Sequence, residues 1–114
     1  MIVVLKEELK RRVTYLMSLD MNNYFFISIL LSELIGIVNS KIDYNCSAII
    51  LKKVEKNEDM QELRSYLFDL ILPEEDISKL IEYREVLINE LMVIDKIEEK
   101  LRTWDRAKKM FMIG

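Results

Sequence analysis

The stretch LPEEDISKLIEYREVLINELMVID, residues 72–95, predicts one long helix around which the rest of the chain is organised. Its apolar residues recur at steps of three, four and seven, which is the period of a helix that buries one face. They are Ile77, Leu80, Ile81, Leu87, Ile88 and Leu91. Pro73 fits the first helical position, and the three acidic residues after it suit the positive end of the helix dipole. We expect the helix to end before Asp95.

Arg84 lies within this apolar face, where a further leucine or isoleucine would fit the period. A guanidinium is rarely buried without a partner. One interpretation is that a carboxylate meets Arg84 inside the bundle, for example Glu33 in the preceding apolar segment. The other is that the face lines a cleft in which Arg84 contacts a ligand or a partner.

Composition limits both the fold and the chemistry. The chain has 114 residues, of which 51% are hydrophobic, with two glycines and one proline. Such a chain offers few points at which helices end, so we predict a single all-α domain over residues 1–114. Histidine is absent and Cys46 is the only cysteine, which excludes histidine-based catalysis, histidine metal sites and an intrachain disulfide. We expect no metal and no cofactor.

Three further segments have helical patterns. The apolar spacing predicts helices over Ile2–Leu19 and Asn23–Lys41. The second helix is apolar nearly all round, which favours burial against a second copy of the chain. Residues 48–71 predict either one kinked helix or two short ones, because the charged run 55–59 interrupts their apolar pattern.

A fifth helix is predicted after the central stretch. Asp95 and Glu98 form a capping-box pattern, which is typical of a helix start. Trp104 and Phe111 continue at helical spacing, and we expect them in the core or in a dimer contact. The expected architecture is an up-and-down bundle of four to five helices.

The longest apolar run, Tyr24–Val38, is interpreted as a core helix. It spans about 15 residues, whereas a membrane-spanning helix needs about 20, and Glu33 lies near its middle. The N-terminus places its apolar residues before its charges, which is the reverse of a secretory signal. We therefore expect a cytoplasmic protein without membrane contact.

The segment IEYREVLINELMVID, residues 81–95, resembles the HepT-like branch of the HEPN superfamily, which carries a segment of the form I/V-G-F-R-N-x-L-V-H-x-Y-x-x-I-D. The pairs in matching places are Tyr83-Arg84, Leu87-Ile88 and Ile94-Asp95. A second match, residues 30–42, has an apolar pattern with Asn39 before a short aliphatic end, as in the family's second helix. Together these matches cover about half of the chain, and residues 43–72 do not align.

The resemblance implies an all-helical homodimer in which the arginine and histidine motifs of both chains face one cleft. Active members of the family are metal-independent ribonucleases that serve as toxins. Their partner is a minimal nucleotidyltransferase antitoxin, which in some cases adenylylates a tyrosine just after the histidine. By this pattern the candidate binding residues are Arg84, Asn89 and Asn39.

The sequence departs from the family where the chemistry lies. Arg84 matches the motif arginine, but Glu85 follows it, Asn89 stands at the histidine position and Leu91 at the tyrosine position. Acid–base catalysis contributes about 10²–10⁴-fold to such reactions, and a neutral amide does not ionise near neutral pH. The motif-equivalent residues Arg84, Glu85 and Asn89 therefore predict phosphate or partner binding without cleavage.

Three functions stay open on the sequence alone. The first is a non-catalytic, HepT-like dimer that binds a minimal nucleotidyltransferase or RNA. The second is a small helical interaction or inhibitor protein unrelated to HEPN, in which Arg84 and Glu33 form an internal ion pair. The third is an active ribonuclease that combines Arg84 with an acid or base such as Tyr83, Glu85 or Glu90.

Overall fold

The computed structural model describes residues 2–43 and 58–113, with side chains up to residue 108. It contains four helices: α1 (Ile2–Leu19), α2 (Asn23–Ile42), α3 (Glu58–Ile71) and α4 (Ile77–Ile113). These helices pack as an all-α bundle, and the described ranges contain no strand. The predicted all-α bundle is confirmed, whereas the helical pattern over residues 48–54 and the side chain of Phe111 lie outside what is described.

The first two helices follow the sequence pattern closely. The apolar spacing of α1 predicts a stripe of Ile2, Leu5, Leu9, Val13 and Leu16. The last four are buried, and Ile2 is partly buried against the core. A short turn then reverses the chain, and the Asn23 side-chain amide donates a hydrogen bond of 2.7 Å to the Leu16 carbonyl oxygen. This buried contact holds the end of α1 against the start of α2, so the two helices form an antiparallel pair.

The central helix is α2. By length and composition alone it is the one helix in the described ranges that is apolar enough to cross a membrane, with a mean hydropathy of 1.7. In the bundle it contacts α1, α3 and α4. Its buried residues include Ile27, Leu31, Leu34 and Val38, which supply the middle of the hydrophobic core.

Paired contacts fix the directions of the remaining helices. Glu33 meets Arg64, and the Lys41 ammonium meets the Leu72 carbonyl oxygen, so α3 runs in the same direction as α2. The end of α2 also meets α4 near its start, through Asn39 and Arg84, so α4 runs opposite to α2. Residues 44–57, which join α2 to α3, lie outside the described part of the chain.

The predicted start of the central helix is wrong by several residues. Residues 72–76 form a turn, and α4 begins at Ile77. Asp76 caps it: the Asp76 carboxylate accepts a hydrogen bond of 2.9 Å from the Ser78 backbone N–H. The Asp76 carboxylate satisfies a backbone N–H that the first turn of the helix leaves unpaired. The helix therefore begins after Asp76, and Pro73 lies in the turn before it.

The predicted break at Asp95 is also wrong. α4 is a single helix of 37 residues, and the predicted fourth and fifth helices are its two halves. Asp95 is exposed, and no glycine or proline occurs between Ile77 and Ile113. Because nothing interrupts the backbone ladder there, propagation of the existing helix prevails over a local capping signal.

The buried face of α4 matches the predicted one only in part, through Leu80 and Leu87. Ile77 and Ile88 are 47% and 38% exposed, and the core face is formed by Leu80, Tyr83, Val86, Leu87, Glu90 and Ile94. No residue from Asp95 to Lys108 is buried, and Trp104 is 68% exposed. Of the two positions expected for Trp104, the core is therefore wrong and a dimer contact stays a prediction. The C-terminal half of α4 extends along the longest dimension of the molecule, which is 58 Å.

Candidate functional site

Two of the predicted site residues meet across the α2–α4 contact. The Arg84 guanidinium donates a hydrogen bond of 3.0 Å from Nη1 to the Asn39 side-chain oxygen. Both residues are half-buried. The two sequence segments that carry the family resemblance are thus joined by a direct contact between their most distinctive polar residues.

The predicted ion pair between Glu33 and Arg84 is wrong. Glu33 is paired with Arg64 of α3, through two hydrogen bonds of 2.8 Å and 3.0 Å that join the two carboxylate oxygens to the two terminal guanidinium nitrogens. Arg64 also stacks over the Phe68 ring at 4.4 Å. Glu33 and Asn39 are six residues apart, which turns them about 120° from one another around α2, so they face different neighbouring helices.

Glu85 and Asn89 do not join Arg84 inside the contact. Both side chains are exposed on the outer surface of α4. Asn89 follows Arg84 by five residues, an angle of about 140° on a straight helix, and α4 continues through this region as one helix. Within one chain, Arg84 therefore meets Asn39 and not the other two motif-equivalent residues, Glu85 and Asn89.

The two other acid–base candidates are buried in separate surroundings. Burial, and next the negative charge of Glu74, raise the pKa of the Tyr83 hydroxyl. Burial likewise raises the pKa of the Glu90 carboxyl, against the opposing effect of the Lys10 ammonium. Glu90 lies toward α1, whereas Arg84 contacts α2, and the two differ by about 120° around α4. Glu90 is therefore not placed to act with Arg84.

Glu90 lines a groove that the sequence analysis did not predict. The groove lies between α1 and α4 and has a volume of about 430 Å³; its residues include Lys10, Val13, Met17, Glu90, Val93 and Ile97. A signal was present, because Tyr83, Leu87, Glu90 and Ile94 recur at steps of four, three and four. Because Tyr83 and Glu90 are polar, the sequence analysis did not assign them to the core face of α4.

Metal chemistry finds no support in the arrangement of the acidic residues. Within residues 2–43 and 58–108, no group of three or more histidine, cysteine, aspartate or glutamate side chains is positioned to hold a metal ion. No protein-family model, curated protein or solved structure matched the chain.

Proposed function

We propose that this chain is a non-catalytic helical binding protein of the HepT-like HEPN type, which works as a cytoplasmic homodimer with a minimal nucleotidyltransferase as its partner. The observation that carries the proposal is the bond between Arg84 and Asn39. It connects the two segments in which the sequence resembles that family, and the residue that Arg84 bonds is a neutral amide, which cannot serve as an acid or a base near neutral pH.

The state of Arg84 suits binding. Asn39 is a neutral amide, so it orients the guanidinium without neutralising its charge. A guanidinium has five N–H donors, and the bond to Asn39 uses one of them. The remaining donors suit a carboxylate or a phosphate, which arginine binds in a bidentate geometry.

The surroundings favour a protein partner over RNA. Glu85, the residue after Arg84, is exposed and carries a negative charge that repels a phosphate backbone. The whole chain is mildly acidic, with a formal net charge of −3. A partner surface that offers a carboxylate to Arg84 and a donor to Glu85 or Asn89 matches this pattern better than a nucleic acid does.

The surroundings also argue against a ribonuclease. Tyr83 is buried, Glu90 lies toward another helix, and Asn89 does not ionise. Glu85 is the remaining carboxyl close in sequence, and it is exposed to solvent. A group that moves a proton during cleavage must lie within hydrogen-bond reach of the substrate hydroxyl, and among the described residues the side chain bonded to Arg84 is that of Asn39.

The experiment is co-expression of the chain with the nucleotidyltransferase encoded beside it, followed by light scattering of the purified material. We expect a homodimer that co-purifies with the nucleotidyltransferase, and we expect Arg84→Ala to weaken this complex at least tenfold. Arg102→Ala is the control, because Arg102 is exposed and bonds only Glu98 of its own helix among the described residues.

Two results would overturn the proposal. A monomer that ignores the nucleotidyltransferase would favour the alternative, a helical interaction protein unrelated to HEPN. Cleavage of RNA by the purified chain, lost on Arg84→Ala and kept on Arg102→Ala, would instead establish a metal-independent ribonuclease.

A further inference from the structure

One face of α4 continues from the bundle into the exposed C-terminal half. Glu90, Ile97 and Trp104 follow one another at intervals of seven residues, which keeps them on one side of a helix with a drift of about 20° per interval. Glu90 and Ile97 line the groove beside α1. Trp104, two turns farther along, is 68% exposed.

Glu90 is a buried acid without a partner. It is 9% exposed, and no hydrogen bond or ion pair joins its carboxylate to the described residues. Lys10 lies near enough to influence it electrostatically but forms no ion pair with it. The Glu90 carboxylate opens onto the groove, where it is only partly hydrated. A hydrogen-bond donor stabilises such a carboxylate, so the groove can accept a donor from outside.

The exposed half of α4 carries suitable donors. Trp104 shares a shallow surface groove with Lys96, Lys100 and Ala107. The indole N–H is a hydrogen-bond donor, and the two ammonium groups supply positive charge. Neither lysine forms an ion pair with the described residues. An exposed tryptophan flanked by basic groups is the kind of residue that contributes most to protein interfaces.

We infer that the C-terminal half of α4 docks into the groove between α1 and α4 of a second copy of this chain, so that Trp104 of each copy meets Glu90 of the other. This inference rests on the homodimer of the proposed function and assigns it a surface and a register. It differs from the resemblance-based expectation, because it centres the dimer on Ile97 and not on Arg84.

Symmetry supports this register. A two-fold contact requires that residue i of one copy meets residue j of the other and that j meets i. Ile97 is midway between Glu90 and Trp104, seven residues from each. Two antiparallel α4 helices that cross at Ile97 therefore bring both Glu90–Trp104 pairs together at once, with an apolar side chain on the axis and Lys100 one turn from each indole.

The groove has the chemistry to accept the helix. Val13 and Met17 of α1 and Val93 and Ile97 of α4 supply apolar walls, and Lys10 lies at its edge. In the inferred register the arriving helix also brings Asp105, adjacent to Trp104, whose charge complements Lys10. Without the second copy, Trp104 is exposed and Glu90 has no donor.

The test is cross-linking by a single cysteine placed on the axis. Ile97→Cys in a Cys46→Ser background is expected to form a disulfide-linked dimer within minutes of mild oxidation, because the two thiols face each other. The matched control is Ile88→Cys in the same background. Ile88 is exposed and lies nine residues away, about 180° around α4, so it is expected to stay monomeric on a denaturing gel.

A second measurement uses Trp104, the only tryptophan. Its emission is expected to shift to longer wavelength when the protein is diluted and the dimer separates. Glu90→Gln and Lys100→Glu are each expected to weaken the dimer about tenfold or more, and Arg102→Glu is expected to change it less than threefold. Far-ultraviolet circular dichroism is the check that each variant remains helical.

The outcomes separate this inference from the proposed function. If the chain is a dimer but Ile88→Cys cross-links and Ile97→Cys does not, the register is wrong and the proposed homodimer stands. If the chain is a monomer at every concentration, both are overturned. If Ile97→Cys cross-links and the nucleotidyltransferase does not bind, the dimer surface stands and the proposed partner is wrong.

Discussion

Arg84 of α4 donates a hydrogen bond to Asn39 of α2, a residue 45 positions earlier in the chain, at 3.0 Å. Because the donor is charged and the site is half-buried, Asn39→Ala is expected to lower the free energy of unfolding by about 1 kcal/mol. Asn89→Ala removes the same amide from an exposed position and is expected to change it by less than about 0.5 kcal/mol. Urea denaturation measures both, and equal effects would show that the bond does not stabilise the fold.

Glu33 and Arg64 are expected to behave as a buried pair. The Glu33 side chain is 2% exposed, so Arg64→Met leaves a buried carboxylate without its partner and is expected to destabilise the protein by about 3 kcal/mol. The double variant Glu33→Met, Arg64→Met is expected to recover most of this loss, because methionines pack without a charge to solvate. Urea denaturation of the two singles and the double gives the coupling. Additive losses would contradict it.

The start of α4 is expected to depend on Asp76. Asp76→Ala removes the carboxylate that accepts the Ser78 N–H, and it is expected to lower the free energy of unfolding by about 1 kcal/mol. Glu75→Ala is the control, since Glu75 is exposed immediately before the cap. Thermal and urea unfolding check this expectation. If Pro73→Ala lowers the free energy of unfolding more than Asp76→Ala does, the proline and not the aspartate determines where the helix begins.

Continuity of α4 through Asp95 makes the opposite prediction for that aspartate. Inside a helix alanine is more favourable than aspartate by up to about 0.7 kcal/mol, so Asp95→Ala is expected to leave stability unchanged or raise it slightly. A capping residue would instead lose about 1 kcal/mol on the same change. Chemical denaturation distinguishes the two signs, with Asp76→Ala as the reference for a true cap.

Glu90 is expected to make stability depend on pH in a defined direction. Burial raises the pKa of its carboxyl in the folded chain above the value in the unfolded chain. The folded state therefore favours the protonated form, and the ionisation of Glu90 destabilises the fold as pH rises from the unfolded pKa through the folded one. The Lys10 ammonium of α1, which lines the same groove, opposes this rise in pKa and so reduces the effect.

The comparison that isolates Glu90 is with Glu90→Gln on dilute protein, where the chain is monomeric. Glutamine is expected to be more stable than glutamate at neutral pH and to lose that advantage as pH falls below the unfolded pKa. Glu99→Gln is the control, because Glu99 is exposed. Free energies of unfolding across pH measure the difference, and an advantage that grows toward acid pH would contradict the assignment.

Helical periodicity was sufficient for the regular part of the fold. The buried side of α1 and the extent of α2 followed from apolar spacing alone, since α1 buries one apolar face and α2 is apolar along its length. Arg84 and Asn39 were both chosen from sequence, and they contact each other. The sequence did not predict that contact, and the role of the two residues stays a matter for the experiments above.

The features that the sequence did not predict depend on which helices and side chains pack together in the folded chain. The same two residue types, at the same spacing, occur in a capping box and in the middle of a helix. Asp95 and Glu98 therefore could not show from sequence that α4 continues. The sequence offers several arginines that could pair with Glu33, and only the packing of α3 against α2 selects Arg64. Trp104 has core spacing, but the bundle that would cover it ends near Ile94.

Because α4 is a single unbroken helix, the directions that side chains face at its two ends are fixed relative to each other. Each residue advances a helix by about 100° and 1.5 Å, so the direction in which Arg84 faces is set relative to Trp104 by the number of residues between them. One residue inserted after Asp95 would turn the Arg84 surface by roughly a quarter of a revolution relative to the tip while shifting it little. Any assembly that holds both ends is therefore sensitive to residue count in this segment, even where the inserted side chain touches nothing.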